Sequence, residues 1–317
     1  MLDALRFVQG AVATRDWSPV LTHFRIEAGA IRGYNGVIGL RSPIALDLNA
    51  SPRAIPFTKA IQTCKGTIQL HLTPAGKLAI RSGPFRAFIE CIGEPFPEII
   101  PEGTIVPLDH GILPVFKLLL PFIAGDASRP WARGILLREH SAYATNNVTL
   151  IEQWLGYTFP VELNIPHMAI VELLRIGEEP VSLQVSETSA TFHFPDDRWL
   201  RTQLYSTAWP EVERILDQES NPSPVPEGLW SALRDLAPFT DDLGRVYFRP
   251  EQITVGREED STSVDLPSIN LAEACFNYQQ LLLLEGVADA IDLSQYPKPC
   301  HFYGPDNIRG ATIGIRL

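Results

Sequence analysis

An internal repeat limits the folds that are open to this chain. Helix signals, either a proline in the first turn or an asparagine cap, occur at Pro56, Pro166 and Asn277, with spacings of 110 and 111 residues. Proline loses no hydrogen bond in a first helical turn, and an asparagine side chain accepts one from a free N–H. Self-similarity at this period predicts three copies of one unit, each about 100 residues long.

Period-2 alternation follows each of these helices and predicts three strands per copy. The strands are expected at residues 67–72, 77–81 and 85–89, at 181–185, 190–194 and 200–204, and at 290–294, 300–303 and 310–315. Before them, each copy has an amphipathic helix, expected at 2–12, 107–123 and 228–236, and then a strand pair, expected at 20–26 with 30–34, 134–138 with 142–145, and 245–248 with 252–255. This order predicts an α+β fold with domains at 1–103, 104–216 and 217–317, separated near 101–103 and in the proline-rich stretch 217–226.

Composition favours an ordinary globular chain. Hydrophobic residues make up 45% and charged residues 20%, while the net charge of -11 argues at first sight against a nucleic-acid-binding protein. The apolar run 112–124 is interrupted by Pro114, Lys117 and Pro121, so no membrane span is expected. The N-terminus has no secretory signal pattern, and four widely separated cysteines favour reduced thiols in the cytoplasm.

Sequence signals for catalysis are weak. The seven histidines form no H-E-x-x-H or H-x-H pattern, and no nucleophile elbow, phosphate loop or dinucleotide fingerprint occurs. Acidic pairs such as Glu178-Glu179 and Asp241-Asp242 lie in polar, turn-like stretches and are expected to be solvated loop charges. We therefore expect no catalytic residues, no metal site and no cofactor.

Five further segments stand in a fixed order along the repeat: 10–15 with 19–21, 81–83 through 96–99, 143–150, 209–215 and 315–317. The segment 143–150 (YATNNVTL) takes the place of an Ala-Thr-Asp-Gly-His-Arg-Leu motif, and 209–215 (WPEVERI) that of Phe-Pro-Asp-Tyr-x-Arg-Val. The final Ile315-Arg316-Leu317 parallels a terminal Met-Arg-Leu. In these segments the chain resembles the bacterial DNA polymerase III beta subunit, the sliding clamp, over nearly its whole length.

The resemblance implies a head-to-tail homodimer in which the three repeated DNA-clamp domains of each chain form a ring, with helices on the inner face and antiparallel sheets outside. Double-stranded DNA would pass through the hole without sequence reading. The implied function is a processivity factor that tethers a replicative polymerase through a peptide-binding pocket, with DNA polymerase and clamp-loader subunits as partners. The alternative is a monomeric clamp-like adaptor that binds polymerase or repair proteins without encircling DNA.

Basic residues on or beside the presumed inner helices are the candidates for phosphate contacts, and each is alternatively a solvated surface cation. Arg15 is favoured, because it occupies the turn where the family's arginine approaches DNA. The others are Arg6, Lys59, Lys65, Lys117, Arg129, Arg133, Arg175 and Arg234. The net charge is +3 for residues 1–103, -5 for 104–216 and -9 for 217–317, so the DNA-facing potential is expected to be strongest in the first domain.

The resemblance also implies a pocket for partner peptides between the second and third domains. Its wall would include Ala132, Thr145, Val148, Thr149, Leu150, Pro210, Arg214, Ile215, Ile313, Gly314, Ile315 and Leu317. Leu150, Ile215 and Ile315 are alternatively plain core residues. Val148-Thr149 stands where the family has His-Arg, and Gly314 where it has proline, which predicts a more apolar pocket tuned to a dedicated partner.

For the ring joint, the resemblance implies a contact of Phe96 with the segment that holds Leu236 and Phe239. Phe96 is alternatively a core residue of its own domain. The sequence starts directly in the first helix, without the family's opening strand, which predicts a shortened sheet edge in the first domain.

Overall fold

The computed structural model describes residues 1–15, 18–126, 128–269, 271 and 273–317. Within them, the α-helices are Leu2–Val8 (α1), Ala54–Thr63 (α2), Leu113–Leu119 (α3), His167–Ile176 (α4), Glu213–Leu216 (α5), Leu229–Leu236 (α6) and Tyr278–Leu282 (α7). The helices that follow the three repeat signals are therefore α2, α4 and α7. Asn277 caps α7 as expected, because its side chain accepts a hydrogen bond from the N–H of Gln280 at 3.0 Å.

The strands of the described residues fall into two groups along the chain. The first group is Arg25–Glu27 (β1), Ala30–Tyr34 (β2), Ile38–Pro43 (β3), Gln69–Leu72 (β4), Lys77–Ser82 (β5), Phe85–Glu90 (β6), Thr104–Pro107 (β7), Gly134–Arg138 (β8), Ser141–Thr145 (β9), Thr149–Trp154 (β10) and Leu163–Pro166 (β11). The second is Ser182–Val185 (β12), Ser189–Phe194 (β13), Arg198–Gln203 (β14), Ser223–Pro224 (β15), Arg245–Arg249 (β16), Gln252–Thr254 (β17), Ser263–Asp265 (β18), Ala274–Asn277 (β19), Ala290–Ile291 (β20), Cys300–Tyr303 (β21) and Ile308–Thr312 (β22). Helices and antiparallel sheets together give the expected α+β class.

The chain divides into two compact units, of which the first comprises Met1–Pro114 with Met168–Tyr205. It contains a seven-stranded antiparallel sheet in the order β1-β2-β3-β14-β13-β12-β7 and a three-stranded sheet β4-β5-β6. Aromatic side chains fill its core, with Phe7 of α1 against Phe194 at 5.4 Å and Phe24 against Phe57 of α2 at 6.4 Å between ring centroids.

The second unit comprises Val115–His167 with Ser206–Leu317. It contains an eight-stranded antiparallel sheet in the order β11-β8-β9-β10-β22-β21-β20-β15 and a four-stranded sheet β18-β17-β16-β19. In its core, the rings of Phe248 and Phe276 meet edge to face at 5.4 Å.

Each large sheet joins strands from two predicted copies of the repeat. In the first unit, β3 pairs with β14, with Gly39 opposite Arg201. In the second unit, β10 pairs with β22, with Leu150 opposite Ala311. The first half of one copy thus continues into the second half of the next copy, and the division into three domains stays a prediction.

Several predicted elements differ from the structure. Residues 107–112 are not helical, because Pro107 ends β7, which pairs with β12, and α3 begins only at Leu113. Residues 20–22 form a 3-10 turn behind Pro19 instead of strand, and 293–295 form a second such turn after the short β20. The sheet edge at β4 is short in the way that the missing opening strand predicts. Strand β12 pairs with β7 as well as β13, and β20 pairs with β15 as well as β21, whereas β4 pairs only with β5 among the described residues.

Candidate functional site

An apolar cavity of about 220 Å³ lies in the second unit, on one face of the eight-stranded sheet. Its walls come from the β9–β10 turn, the segment that leads into α5, and the chain after β22. The lining residues are Arg129, Trp131, Thr145, Asn147, Val148, Leu150, Pro210, Val212, Ile215, Pro299, Ala311 and Ile313. The volume is below the roughly 300–1,000 Å³ of sites for drug-sized ligands, so it suits one or two side chains of a longer ligand.

The β9–β10 turn is held in place by its own side chains. The Asn146 carboxamide oxygen accepts hydrogen bonds from the N–H groups of Val148 at 3.0 Å and Thr149 at 2.8 Å. The Thr145 hydroxyl accepts from the N–H of Asn147 at 3.1 Å, and Asn147 has a left-handed φ of 72°. These local bonds fix a tight turn that presents Asn147 and Val148 to the cavity.

Strand alternation decides which of the predicted pocket residues reach the cavity. Leu150 and its cross-strand partner Ala311 lie on the cavity face, while Thr149 and its partner Thr312 face the other way, with hydroxyl oxygens 3.0 Å apart. Thr149 and Ala132 are buried and do not line the cavity. The structure brings together Thr145, Val148, Leu150, Pro210, Ile215 and Ile313 from the predicted set.

The remaining predicted pocket residues lie outside the lining. Arg214 points to solvent and pairs with Glu211, the two side chains being 82% and 71% exposed. The C-terminal Gly314, Ile315 and Leu317 follow the cavity wall without lining it. Of the residues after Thr312, only Ile313 reaches the cavity. The chain then leads away from it, because the backbone N–H of Ile315 donates a hydrogen bond to the carbonyl of Cys275 at 2.7 Å.

Six residues that line the cavity are outside the predicted pocket set. Arg129 is a predicted DNA contact instead, and Asn147 and Val212 lie within the motif segments 143–150 and 209–215 but are not among the predicted residues. Trp131, Pro299 and Ala311 lie outside these segments. Trp131 packs against buried Trp209 with ring centroids 4.9 Å apart, and that pair belongs to the core under the cavity, with Leu136, Tyr143, Val212 and Leu216. Trp131 and Trp209, each within an otherwise polar stretch of the sequence, were the available signal for this core.

A buried polar network lies beside this core. The Glu152 carboxylate accepts hydrogen bonds from the Ser141 hydroxyl at 2.6 Å, the Tyr143 hydroxyl at 3.0 Å and the Arg309 guanidinium. Arg309 also donates to Asp217 at 2.8 Å. Burial and the adjacent Glu152 charge raise the pKa of Tyr143, so its hydroxyl remains a donor at neutral pH. The network ties β9, β10 and β22 together under the cavity wall.

The segment leading into α5 is fixed to the sheet by a second ion pair. Arg138 on β8 donates to Glu213 of α5 and to Glu162, each at 2.9 Å. The hydrogen bond that Arg138 donates to Glu162 is the largest influence that raises the pKa of the Arg138 guanidinium. This pairing holds Pro210, Val212 and Ile215 over the cavity face of the sheet.

The candidate DNA-binding cations occupy different settings. Arg6, Lys59 and Lys65 are exposed on or just after α1 and α2 of the first unit, and Arg15 lines an open cleft of about 560 Å³ with His23, Arg53, Lys77 and Glu90. Lys117 and Arg129 are exposed in the second unit, where Arg133 is half-buried and Arg234 pairs with Glu285 at 2.5 Å.

Arg175 is occupied by the protein itself. Its guanidinium donates to the buried Glu172 carboxylate at 2.5 and 2.8 Å and to the Phe7 carbonyl oxygen at 2.9 Å. These bonds tie α4 to the end of α1 within the first unit. A phosphate would have to compete with a buried carboxylate for Arg175, which makes it the weakest member of the predicted DNA-binding set.

The candidate joint residues differ in exposure. Phe96 is half-buried, Phe239 is 59% exposed, and Leu236 is 1% exposed inside its own unit. Phe239 can therefore meet another chain directly, whereas Leu236 supports the helix that carries it.

Neither a family model nor a curated protein sequence matches this chain. Solved structures do match over its whole length. The beta subunit of the Streptococcus pyogenes DNA polymerase aligns with a TM-score of 0.80 at 18% identity, covering 100% of this chain and 97% of its own. The DNA polymerase III beta subunit of Caulobacter crescentus aligns with a TM-score of 0.82 at 16% identity and the same coverage. This chain has the sliding-clamp fold.

The Helicobacter pylori beta clamp, whose structure holds a DNA ligase peptide, aligns with a TM-score of 0.77 at 18% identity, covering 99% of this chain and 97% of that one. The resemblance found in the sequence motifs is thus confirmed at the level of the fold. Within the described residues, no helix is long and apolar enough to cross a bilayer. The same residues contain no cluster of His, Cys, Asp and Glu arranged to hold a metal ion.

Proposed function

We propose that this protein is a DNA sliding clamp, a non-enzymatic processivity factor that encircles duplex DNA in the cytoplasm as a head-to-tail homodimer and tethers a DNA polymerase. The observation that carries the proposal is the match to sliding clamps over the whole chain and 97% of theirs. The mechanism is topological: a closed ring is retained on DNA without base contacts, so chemistry at a catalytic centre is not needed.

The cavity in the second unit is the proposed site for peptides of the polymerase and of the clamp loader. Its walls are mostly apolar, with Thr145, Asn147 and Arg129 as polar groups at the margin. Such a site takes an apolar anchor side chain and fixes the peptide by a few hydrogen bonds. Val148 in place of a polar side chain makes this cavity more apolar than the family motif implies.

Peptide binding can be tested with a synthetic peptide that carries Leu and Phe, and with the same peptide in which both are Ala. Ile313, which is 43% exposed, should become covered by the peptide, so Ile313→Ala should weaken binding by about 1–2 kcal/mol, roughly five- to thirty-fold. Ile105→Ala is the matched control, because Ile105 is 61% exposed on β7 in the first unit. Equal losses in the two variants would contradict the assignment of the cavity.

Ring closure can be tested without a loader. The protein is diluted to dissociate any dimer, concentrated again with nicked circular DNA, and passed over a gel-filtration column. Retention on circular DNA that disappears after the DNA is cut once is expected for a ring. Retention that survives cutting would indicate ordinary surface binding. A mass of 35.2 kDa at all concentrations together with peptide binding would instead support the monomeric adaptor.

A further inference from the structure

Cationic side chains from three separate parts of the chain line the open cleft of the first unit. Arg15 follows α1, Arg53 directly precedes α2, and Lys77 is the first residue of β5. Among the described lining residues, Glu90 at the end of β6 is the only carboxylate. The cleft volume of about 560 Å³ lies within the roughly 300–1,000 Å³ of sites for small organic ligands. The cleft can therefore hold a small molecule that carries negative charge.

The single carboxylate does not neutralise the cations of the cleft. The Lys77 ammonium nitrogen and the nearer Glu90 oxygen are 3.7 Å apart, and the two side chains are 48% and 71% exposed. An ion pair this long and this exposed is weak, because water screens it. The side chains of Arg15 and Arg53 form no ion pair within the part of the chain that the structure describes. All three cations are therefore available to an anionic ligand.

His23 adds a buried polar group to the wall of the cleft. The residue is 6% exposed, and its Nδ1 lies 2.7 Å from the Pro19 carbonyl oxygen. The Thr22 hydroxyl, which donates to the same carbonyl at 2.8 Å, lies 3.0 Å from Nδ1 and fixes the ring further. A carbonyl oxygen can only accept, so Nδ1 carries a proton and Nε2 is the free nitrogen of the ring.

The Nε2 atom of His23 has no hydrogen-bond partner among the described residues. It can bind a phosphate oxygen in either charge state of the ring. In the neutral ring Nε2 accepts from a P–O–H group, and in the imidazolium its N–H donates to an unprotonated phosphate oxygen. The orientation of the ring is fixed before any ligand arrives, so this hydrogen bond needs no rearrangement of the wall.

The start of α2 adds positive potential at the same place. A backbone bridge joins Arg53, the residue before α2, to His23, so the helix start and the imidazole ring belong to neighbouring residues. No described side chain caps α2, and its first turn contains no acidic residue. The free N–H groups of a first helical turn attract anions. They support the site that His23 and the three cations define.

We propose that this cleft binds small phosphorylated molecules through a terminal phosphate monoester. The described lining has three cations and one carboxylate, a net charge of +2 with the histidine neutral. A phosphate monoester carries about -1.5 to -2 at neutral pH, so the two charges nearly balance. Pro19, Ala75 and Ile92 provide apolar surface in the same cleft for the organic part of the ligand.

DNA is the second source of phosphate for this cleft, because Arg15 is also the favoured candidate for a DNA contact. A phosphodiester of the DNA backbone carries a single negative charge and has no P–O–H group that could donate to Nε2 of His23. A monoester offers both the larger charge and, in its singly protonated form, the donor. The site thus favours a monoester over a diester, and it does not depend on whether the protein encircles DNA.

Isothermal titration calorimetry of the full chain with three related probes tests the preference. The probes are adenosine monophosphate, its cyclic diester and adenosine, which share one base and sugar and differ in the phosphate. The monoester should bind about tenfold more tightly than the diester, and adenosine should not bind measurably. Equal affinities for monoester and diester would overturn the monoester site and assign the cleft to backbone phosphates. Absence of binding by all three probes would overturn the cleft as a phosphate site.

Substitutions locate the bound phosphate. Arg53→Gln removes an exposed charge without touching the core, and His23→Asn keeps a donor for the Pro19 carbonyl while removing Nε2. Each should weaken binding of adenosine monophosphate about tenfold, with circular dichroism melting curves to verify the fold of the His23 variant. Arg81→Gln is the matched control, because Arg81 is exposed on β5 but does not line the cleft. Equal losses in Arg53→Gln and Arg81→Gln would show general charge attraction and refute the assignment.

Discussion

The buried ion pair between Glu152 and Arg309 can be compared with an exposed ion pair of similarly short distance. The comparison tests how much burial adds to the stability that an ion pair provides. The Glu152 carboxylate is 8% exposed and accepts from Arg309, Ser141 and Tyr143. Glu152→Gln keeps the shape but removes the negative charge and leaves one acceptor oxygen for three donors. If that oxygen faces Arg309, the charge-assisted bonds become neutral ones and the hydroxyl groups must turn to accept from the amide, at a cost of about 2–3 kcal/mol.

The control is an ion pair whose charged groups are equally close together but exposed to solvent. Arg214 and Glu211 are 2.6 Å apart, but their side chains are 82% and 71% exposed. Solvent screening and side-chain entropy reduce such a pair to roughly 0–1 kcal/mol, so Glu211→Gln should lower stability by less than about 0.5 kcal/mol.

Both variants can be compared by guanidinium unfolding and by hydrogen exchange of the β10 and β22 amides. Glu152→Gln should lower the exchange protection of these strands, and a double-mutant cycle with Arg309→Gln should give a coupling of about 1–2 kcal/mol. Equal effects of Glu152→Gln and Glu211→Gln, or zero coupling with Arg309, would refute the argument that burial gives this pair its strength.

Three shorter predictions follow from packing and protonation. A methyl group at Gly310 would lie 2.1 Å from the Phe302 ring, so Gly310→Ala should lower the free energy of unfolding by about 2–4 kcal/mol in a denaturant titration. Burial raises the pKa of the Cys300 thiol to about 12, so it should react with a thiol reagent only after unfolding, as a time course in denaturant would show. Burial lowers the pKa of His193, so the unfolded chain binds the proton more tightly, and stability should fall as pH drops below about 6.5. His193→Gln should make that acid-side loss smaller in melting curves at pH 5 to 7.

The sequence contained enough information for the repeat and the fold class, because alternation and helix caps are local signals. The starts of α2, α4 and α7 lie within two residues of the positions expected from Pro56, Pro166 and Asn277. Helix α3 was predicted too long because Pro107 also satisfies the rule for a first helical turn. Its pairing in β7 with β12 is a long-range contact that no local signal reports.

The cavity was predicted only in part for a similar reason. Matching a motif assigns consecutive residues such as Val148, Thr149 and Leu150 to one site, whereas a strand sends neighbouring side chains to opposite faces. Trp131 and Pro299 reach the cavity from segments far away in sequence, which only the folded sheet brings together. The alternation of side chains along a strand would have predicted that Leu150 and Thr149 face opposite sides of the sheet. The place of Pro299 in the cavity wall could be found only from the structure.

The net charge of -11 is a sum over the whole chain and does not show how charge is distributed over the folded protein. Each large sheet joins strands from two predicted copies of the repeat, since β3 pairs with β14 and β10 pairs with β22. The charge is distributed unevenly along the chain, with +3 for residues 1–103 and -9 for residues 217–317. The acidic total therefore does not exclude the proposed binding of DNA, because the basic excess lies in residues 1–103, which contain the predicted phosphate contacts Arg6, Arg15, Lys59 and Lys65.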